Sequence, residues 1–157
     1  MLNITVNNIE YAADKKKAFE IRNLVFCKEQ KVSKEIEFDG LDQFCDHYLA
    51  KINEVPIGTA RVREQTKGTY KIERMAVLKE YRKKGVGKAI IKKILKDYLN
   101  LSNINKLTLN SQIEAKDFYK KFGFVEVGKE FVEANIKHQK MIYEDKMVPA
   151  HGLEPRT

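Results

Sequence analysis

The stretch from Tyr70 to Asn110, YKIERMAVLKEYRKKGVGKAIIKKILKDYLNLSNINKLTLN, constrains the fold more than any other. It opens as a strand, with Tyr70, Ile72, Arg74 and Ala76 on one face and Lys71, Glu73, Met75 and Val77 on the other. From Gly85 to Asn100 the period changes. Ile90, Ile91, Ile94, Leu95, Tyr98 and Leu99 form an apolar stripe, while Lys88, Lys92 and Lys96 recur four apart on another face, which predicts an amphipathic helix. KLTLN, 106 to 110, alternates again as a strand. A helix crossing between two strands sets them parallel, so the chain is a mixed α and β fold.

The remaining segments attach to that frame. NITVN alternates as a short strand, and DKKKAFEIRNLVF places Ala18, Ile21, Leu24 and Val25 at helical spacing. Periodicity is lost from Cys27 to Asp46, which reads as a loop or broken helix and as a candidate substrate wall. HYLAKI and TARVRE read as antiparallel strands turned by NEVPIG, with Pro56 and Gly58 as the punctuation. Ile113 to Phe122 reads as a helix ended by Gly123, and FVEV and HQKMIY as two closing strands. With 157 residues the expectation is one domain over 1–145 and a flexible tail over 146–157.

Composition narrows the partners. Hydrophobic residues make 43% and charged residues 33% of the chain, with no apolar run long enough to cross a bilayer, so a cytoplasmic protein without membrane contact is expected. Cys27 and Cys45 lie far apart and the three histidines are scattered, so neither a disulfide nor a metal site is expected. The 30 Lys plus Arg against 22 Asp plus Glu leave a net charge of +8, which favours an anionic partner.

The turn RKKGVG is where such an anion would sit. A Walker A loop ending at Lys88 needs glycine at 82 and a hydroxyl at 89, but Arg82 and Ala89 stand there. A GxGxxG dinucleotide fingerprint starting at Gly85 needs glycine at 90, but Ile90 stands there. What remains is a strand, a basic glycine turn and a helix start, where successive N–H groups can cradle a diphosphate. Arg82, Lys83, Lys84 and Lys88 surround Gly85, Val86 and Gly87 with charge. The bland alternative is a glycine-initiated helix with a solvated basic start.

Downstream, NSQIEAKDFYKKFGF puts Asn110 at a strand end and Ala115 and Tyr119 one turn apart on a short helix. Together with RKKGVG this resembles the GNAT superfamily of acetyl-CoA-dependent N-acetyltransferases. RKKGVG is similar to its R/Q-x-x-G-x-G/A diphosphate loop, and AKDFYKKFGF to its second cofactor segment. RNLVFCKEQ, EFDG and EFVEANIKHQKM resemble the YjcF/ElaA-type branch of small bacterial acetyltransferases. The resemblance implies a central, mostly antiparallel mixed sheet of about six to seven strands flanked by about four helices.

It also implies roles. Acetyl-CoA is the donor, its diphosphate held by residues 82 to 88 and its pantetheine arm by the backbone of Met75, Ala76 and Val77, with Asn110 and Phe118 as further contacts. Tyr119 matches the general acid, and Glu73 resembles the acidic residue that takes the amine's proton. A packing tyrosine and a cross-strand ion pair are the bland alternatives. His47 and His138 are reserve bases or substrate contacts, and Glu29 and Gln30 face the acceptor side. The acidic run from Glu35 to Asp46 hints at a cationic acceptor.

Three functions follow for comparison. The first is acetyl transfer to a primary amine of a small molecule or peptide, in a ternary complex. A basic nucleic-acid-binding module is the second, though the aromatics fall at core spacing and nucleic acid is not the expected partner. A CoA-binding regulator without turnover is the third. Edge-strand pairing into a homodimer stays open.

Overall fold

The computed structural model describes residues 3–144; the tail expected over 146–157 lies outside the described residues. Contacts divide the described residues into two compact units. One runs to Arg63 and resumes over Ile72–Ile94, and the other holds Glu64–Lys71 and the residues from Leu95 on.

In the first unit β1 (Ile4–Asn8), β2 (Asp46–Ile52), β3 (from Val55) and β4 (to Val77) lie side by side in that order. β1 and β2 are antiparallel, as are β2 and β3. β2 turns into β3 through Asn53 and Glu54, both with positive φ (48° and 68°), a pair of left-handed residues suited to a tight hairpin. The expected turn at Pro56 and Gly58 is therefore corrected: both lie inside β3, with Pro56 opposite Lys51 and Gly58 opposite Ala50, either side of a bulge at Ile57. Gly58 sits in a strand because a Cβ there would come within 3.0 Å of Val86 Cγ1 and 3.1 Å of Ile90 Cδ1. Its missing side chain lets α3 (Val86–Tyr98) approach the sheet.

The first helix also departs from simple periodicity. α1 (Tyr11–Arg22) continues into a π-helical segment, Asn23–Glu29, whose wide turn is closed by Gln30 N donating to Val25 O at 3.0 Å. Leu24, expected in the apolar stripe, is 49% exposed. Ala18, Ile21 and Val25 remain in the core with Leu49 of β2 and Ala76 of β4. Within the expected loop, α2 (Lys34–Glu37) is capped by the Ser33 hydroxyl accepting from Ile36 N.

In the second unit β8 (Ile136–Tyr143) is the central strand. β5 (Lys106–Gln112) pairs antiparallel with it from Thr108 to Gln112. β6 (Phe124–Glu126) pairs with its Met141–Tyr143 end, and β7 (Phe131–Glu133) with its Ile136–His138 end. Sequence periodicity missed β7, whose three residues are too few to show alternation. α4 (Lys116–Lys120) follows a short 3-10 turn, and Gly123 stops it at φ +101°. Eight strands and four α-helices among the described residues give the expected mixed α+β fold. Among those residues no helix is long and apolar enough to cross a membrane.

Gly58→Ala forces Val86, Ile90 or the Ala76 carbonyl to yield. It should lower unfolding free energy by about 1–3 kcal/mol in urea titration; an unchanged midpoint would show that α3 needs no such close approach.

Candidate active site

The basic turn has the geometry of an anion nest. Lys83 and Gly85 both take left-handed backbone (φ 63° and 89°), and α3 starts at the next residue. Its first backbone bond runs from Ala89 N to Gly85 O at 3.0 Å, so the amides of Val86, Gly87 and Lys88 are first-turn donors without an intrahelical acceptor. A Cβ on Gly85 would meet no protein atom within 4 Å. Packing therefore does not demand that glycine; its φ does, and the space beside it is open to a ligand. Open space beside Gly85, first-turn amides at a helix start and lysine charge together fit a diphosphate.

Arg82 stands differently from the lysines beside it. Its Nε donates to Val77 O at 2.9 Å, and its two terminal nitrogens donate to the two carboxylate oxygens of Glu29, each at 2.7 Å. That hydrogen-bonded pairing holds the Glu29 carboxyl below its ordinary value and pushes Arg82 up. Glu29 ends the π-helical segment and Gln30 caps it. Met75, Ala76 and Val77 form the last residues of β4, with Ala76 in the core.

Glu73 belongs to a lattice of four arginines and four carboxylates, buried at Arg22, Arg61, Glu37 and Asp42 and partly open at Arg63, Arg74 and Asp39. Arg61, 1% exposed, donates to Glu73 Oε1 at 2.7 Å and to Asp39 and Asp42 at 3.0 Å. Arg63 donates to both Glu73 oxygens, at 3.1 and 3.0 Å. Arg22, also 1% exposed, bonds Glu37 at 2.8 Å and Asp42 at 2.7 Å. Arg74, held in a left-handed conformation (φ 58°) inside β4, reaches the Glu37 carbonyl and the Asp39 carboxylate. Such a residue interrupts the pleat, so the strict alternation expected of β4 does not run through it.

The lattice corrects one expectation and reshapes another. Glu37, Asp39 and Asp42, counted in the acidic run as a hint of a cationic acceptor, spend their charge on arginines of the protein itself. His47 is 1% exposed, with Nε2 2.8 Å from Asp42 O, its ring stacked on Tyr11 and its pKa lowered chiefly by burial. Its Nδ1 is buried without a hydrogen-bond partner. None of the four arginines was singled out from the sequence. The available signal was the alternation Arg61, Arg63 in TARVRE and an arginine, Arg22, beside the apolar stripe of α1. A pocket of about 320 Å³ lies at the edge of this lattice, lined by Tyr11, Phe19, Phe38, Gly40, Asp42 and Gln43.

In the second unit, Tyr119 of α4 is buried, packing edge-on against Phe118 and Phe124, and burial raises its phenol pKa. Asn110 of β5 lies opposite Lys140 of β8. His138 is 8% exposed, stacks on Phe131, and has Nδ1 2.7 Å from Ile136 O. A neutral ring donating through Nδ1 keeps Nε2 as its acceptor.

Comparison with known proteins adds the family. The family model described as an acetyltransferase (GNAT) domain matches residues 10–144. The uncharacterized N-acetyltransferase YjcF of Bacillus subtilis is 41% identical over 81% of this chain and 90% of its own. The uncharacterized protein YyaT of the same organism is 36% identical over 90% of this chain and 96% of its own. The crystal structure of Escherichia coli ElaA superposes with a TM-score of 0.77 at 23% identity, covering 92% of this chain and all (100%) of that one; it shares the fold.

Arg61→Met leaves Asp39, Asp42 and Glu73 short of a buried partner and should cost about 3–5 kcal/mol in denaturant titration. Asp39 and Asp42 sit below the 3.8 of an unperturbed aspartate, held there by hydrogen bonds from Arg61 and, for Asp42, Arg22 that outweigh their desolvation. Their stabilisation is thus present above that value and lost as pH falls below it. Glu37, raised by burial, works the other way. Wild type should lose melting temperature on acidification below pH 3.8, and Arg61→Met should lose less; equal slopes would remove the lattice as the cause.

Proposed function

The chain belongs to the GNAT acetyltransferase family, and from that premise we propose that it is an N-acetyltransferase moving acetyl from acetyl-CoA directly to a primary amine in a ternary complex. The observation that carries the reading is the turn from Arg82 to Lys88, with its first-turn amides, its left-handed glycine and the open space beside it. The family uses acetyl-CoA, which when bound supplies the thioester whose carbonyl the amine attacks.

The chain's own residues then divide the tasks. Amides of Val86, Gly87 and Lys88 would hold the diphosphate at the positive end of α3, with Lys83, Lys84 and Lys88 adding charge. The backbone of Met75 to Val77 would hold the pantetheine arm in extended form, with Asn110 and Phe118 as further contacts. A straight, fixed donor lowers the entropy cost of attack.

Tyr119 Oη would be the donor aimed at the departing sulfur. Burial raises its pKa, so it is protonated at neutral pH. Against a thiol reference near about 8.5, full transfer from such a phenol is uphill. Hydrogen-bond donation to the developing thiolate, with proton movement late in the step, is the role its burial supports. Phe118 and Phe124 hold the ring in place.

For the amine's proton, Glu73 is the carboxylate next to the donor-holding end of β4, and both of its oxygens already accept from Arg61 or Arg63. That arrangement supports Glu73 as a residue that orders water at the site, with water taking the proton, and not as the terminal base. His138, through Nε2, is the second candidate acceptor, and Gln30 stands beside Glu29 on the acceptor side.

Thiol release with acetyl-CoA and a panel of primary amines tests the activity; binding of CoA without turnover on any of them would favour a regulator instead. Tyr119→Phe should lower kcat on the order of a hundredfold while CoA affinity holds; an unchanged kcat removes the donor role. Gly87→Val, crowding the first turn of α3, should weaken CoA binding about tenfold or more in calorimetric titration.

A further inference from the structure

The diphosphate turn carries an arginine whose outer edge is already taken. Arg82 Nε is anchored on Val77 O at 2.9 Å, and both terminal nitrogens point their bonds at Glu29, at 2.7 Å each. This is a fork-to-fork pair, the same two-point pattern with which a guanidinium grips a phosphate. With Nε anchored and one N–H of each terminal nitrogen on Glu29, a phosphate can take the same two-point grip only if the carboxylate leaves that edge.

Burial decides which ion pairs of the first unit can exchange. Arg61 and Arg22 are 1% exposed on their side chains, out of reach of any ligand. Arg82 and Glu29 are 36% and 37% exposed, where water and salt screen the pair and hold its strength near that of a surface bridge. Lys79 lies close enough to act on Glu29, and Glu80 on Arg82, so each partner keeps a local counter-charge when the pair opens. The other carboxylates near β4, Glu37, Asp39, Asp42 and Glu73, are tied to arginines outside the turn. Glu29 alone among these five has its partner in the diphosphate turn.

We propose that Glu29 is a built-in competitor for the donor: its carboxylate occupies Arg82 in the free protein, and the CoA diphosphate displaces it. The exchange lowers donor affinity and frees Glu29 as an anionic group when the donor is bound, ready for a positively charged amine. This rests on the acetyl-CoA reading of the turn. The placement of Glu29 at the end of a π-helical segment accords with it, since that segment ends by breaking the regular helical register.

The test is calorimetric titration of CoA into wild type, Glu29→Gln, Arg82→Gln and the double variant, with melting temperatures recorded for each. Glu29→Gln should bind CoA about three- to fivefold more tightly, the range an exposed pair can supply. Arg82→Gln should bind more weakly, and adding Glu29→Gln to it should change affinity less than about twofold. Unchanged or weaker binding by Glu29→Gln overturns the proposal, and so does a gain that persists without Arg82, since that is bulk charge and not exchange. Glu29→Asp, too short to meet both nitrogens at once, should fall between wild type and Glu29→Gln. A second readout is the carbon resonance of the Glu29 carboxyl during pH titration. Its midpoint should rise toward an ordinary glutamate's on CoA saturation, and a midpoint that stays put overturns the release. Failure of folded wild type to bind CoA at all would instead sink the donor-site reading beneath it.

Discussion

The first unit is organised around one guanidinium. Arg61 extends from β3 with 1% of its surface exposed and donates to Asp39, Asp42 and Glu73, acids drawn from the segment after α2 and from β4. Removing Arg61, Asp42 and Glu73 from water costs several kcal/mol per ion, which is offset only when almost every donor and acceptor finds a partner. The planar fork of arginine can serve three carboxylates where an ammonium could not. Charge balance closes the lattice: Arg22, Arg61, Arg63 and Arg74 face Glu37, Asp39, Asp42 and Glu73. The consequence for function is stiffness. Arg74 can keep its left-handed backbone inside β4 because its side chain is tied to the Glu37 carbonyl and the Asp39 carboxylate. The strand end that would carry a donor is thereby held before any donor arrives.

Much of the frame was legible because period and punctuation act locally. The lysine and isoleucine faces of α3, the alternation of β5 and the stop at Gly123 follow from residues within a few positions of one another. Errors arose where a distant partner overrode local signals. Pro56 and Gly58 read as a turn, yet Gly58 is small because α3 presses on it, and the real turn at Asn53 and Glu54 needs only two residues that tolerate positive φ. Leu24 read as core, yet it is 49% exposed while Ile21 and Val25 on either side of it are buried. β7 exists because β8 offers an edge to pair with, something no three-residue window can show.

The site divides along the same line. A glycine turn running into a helix start is a local signal, so residues 82 to 88 could be proposed as a diphosphate nest and rivals excluded by single positions such as Ala89 and Ile90. The arginine lattice could not, since charged residues on a strand read as a solvated face until the segment that covers them is known. The acidic run from Glu35 to Asp46 pointed to a cation, and for Glu37, Asp39 and Asp42 the cation is the protein's own arginine.

That contrast separates two uses of one interaction. Arg61 with Glu73 and Arg82 with Glu29 have the same closest nitrogen-to-oxygen distance, 2.7 Å. Coulomb attraction at equal separation scales inversely with the local dielectric, so the buried pair is strong and unexchangeable while the exposed pair is weak and replaceable. A donor carrying a diphosphate brings more negative charge than one carboxylate and adds amide contacts the carboxylate lacks, so it wins Arg82 without needing to disturb Arg61. An enzyme of this design can change which anion its turn holds while the strand leading into it stays fixed. Stiffness and exchange are then set by the depth of each arginine, not by its partner's chemistry.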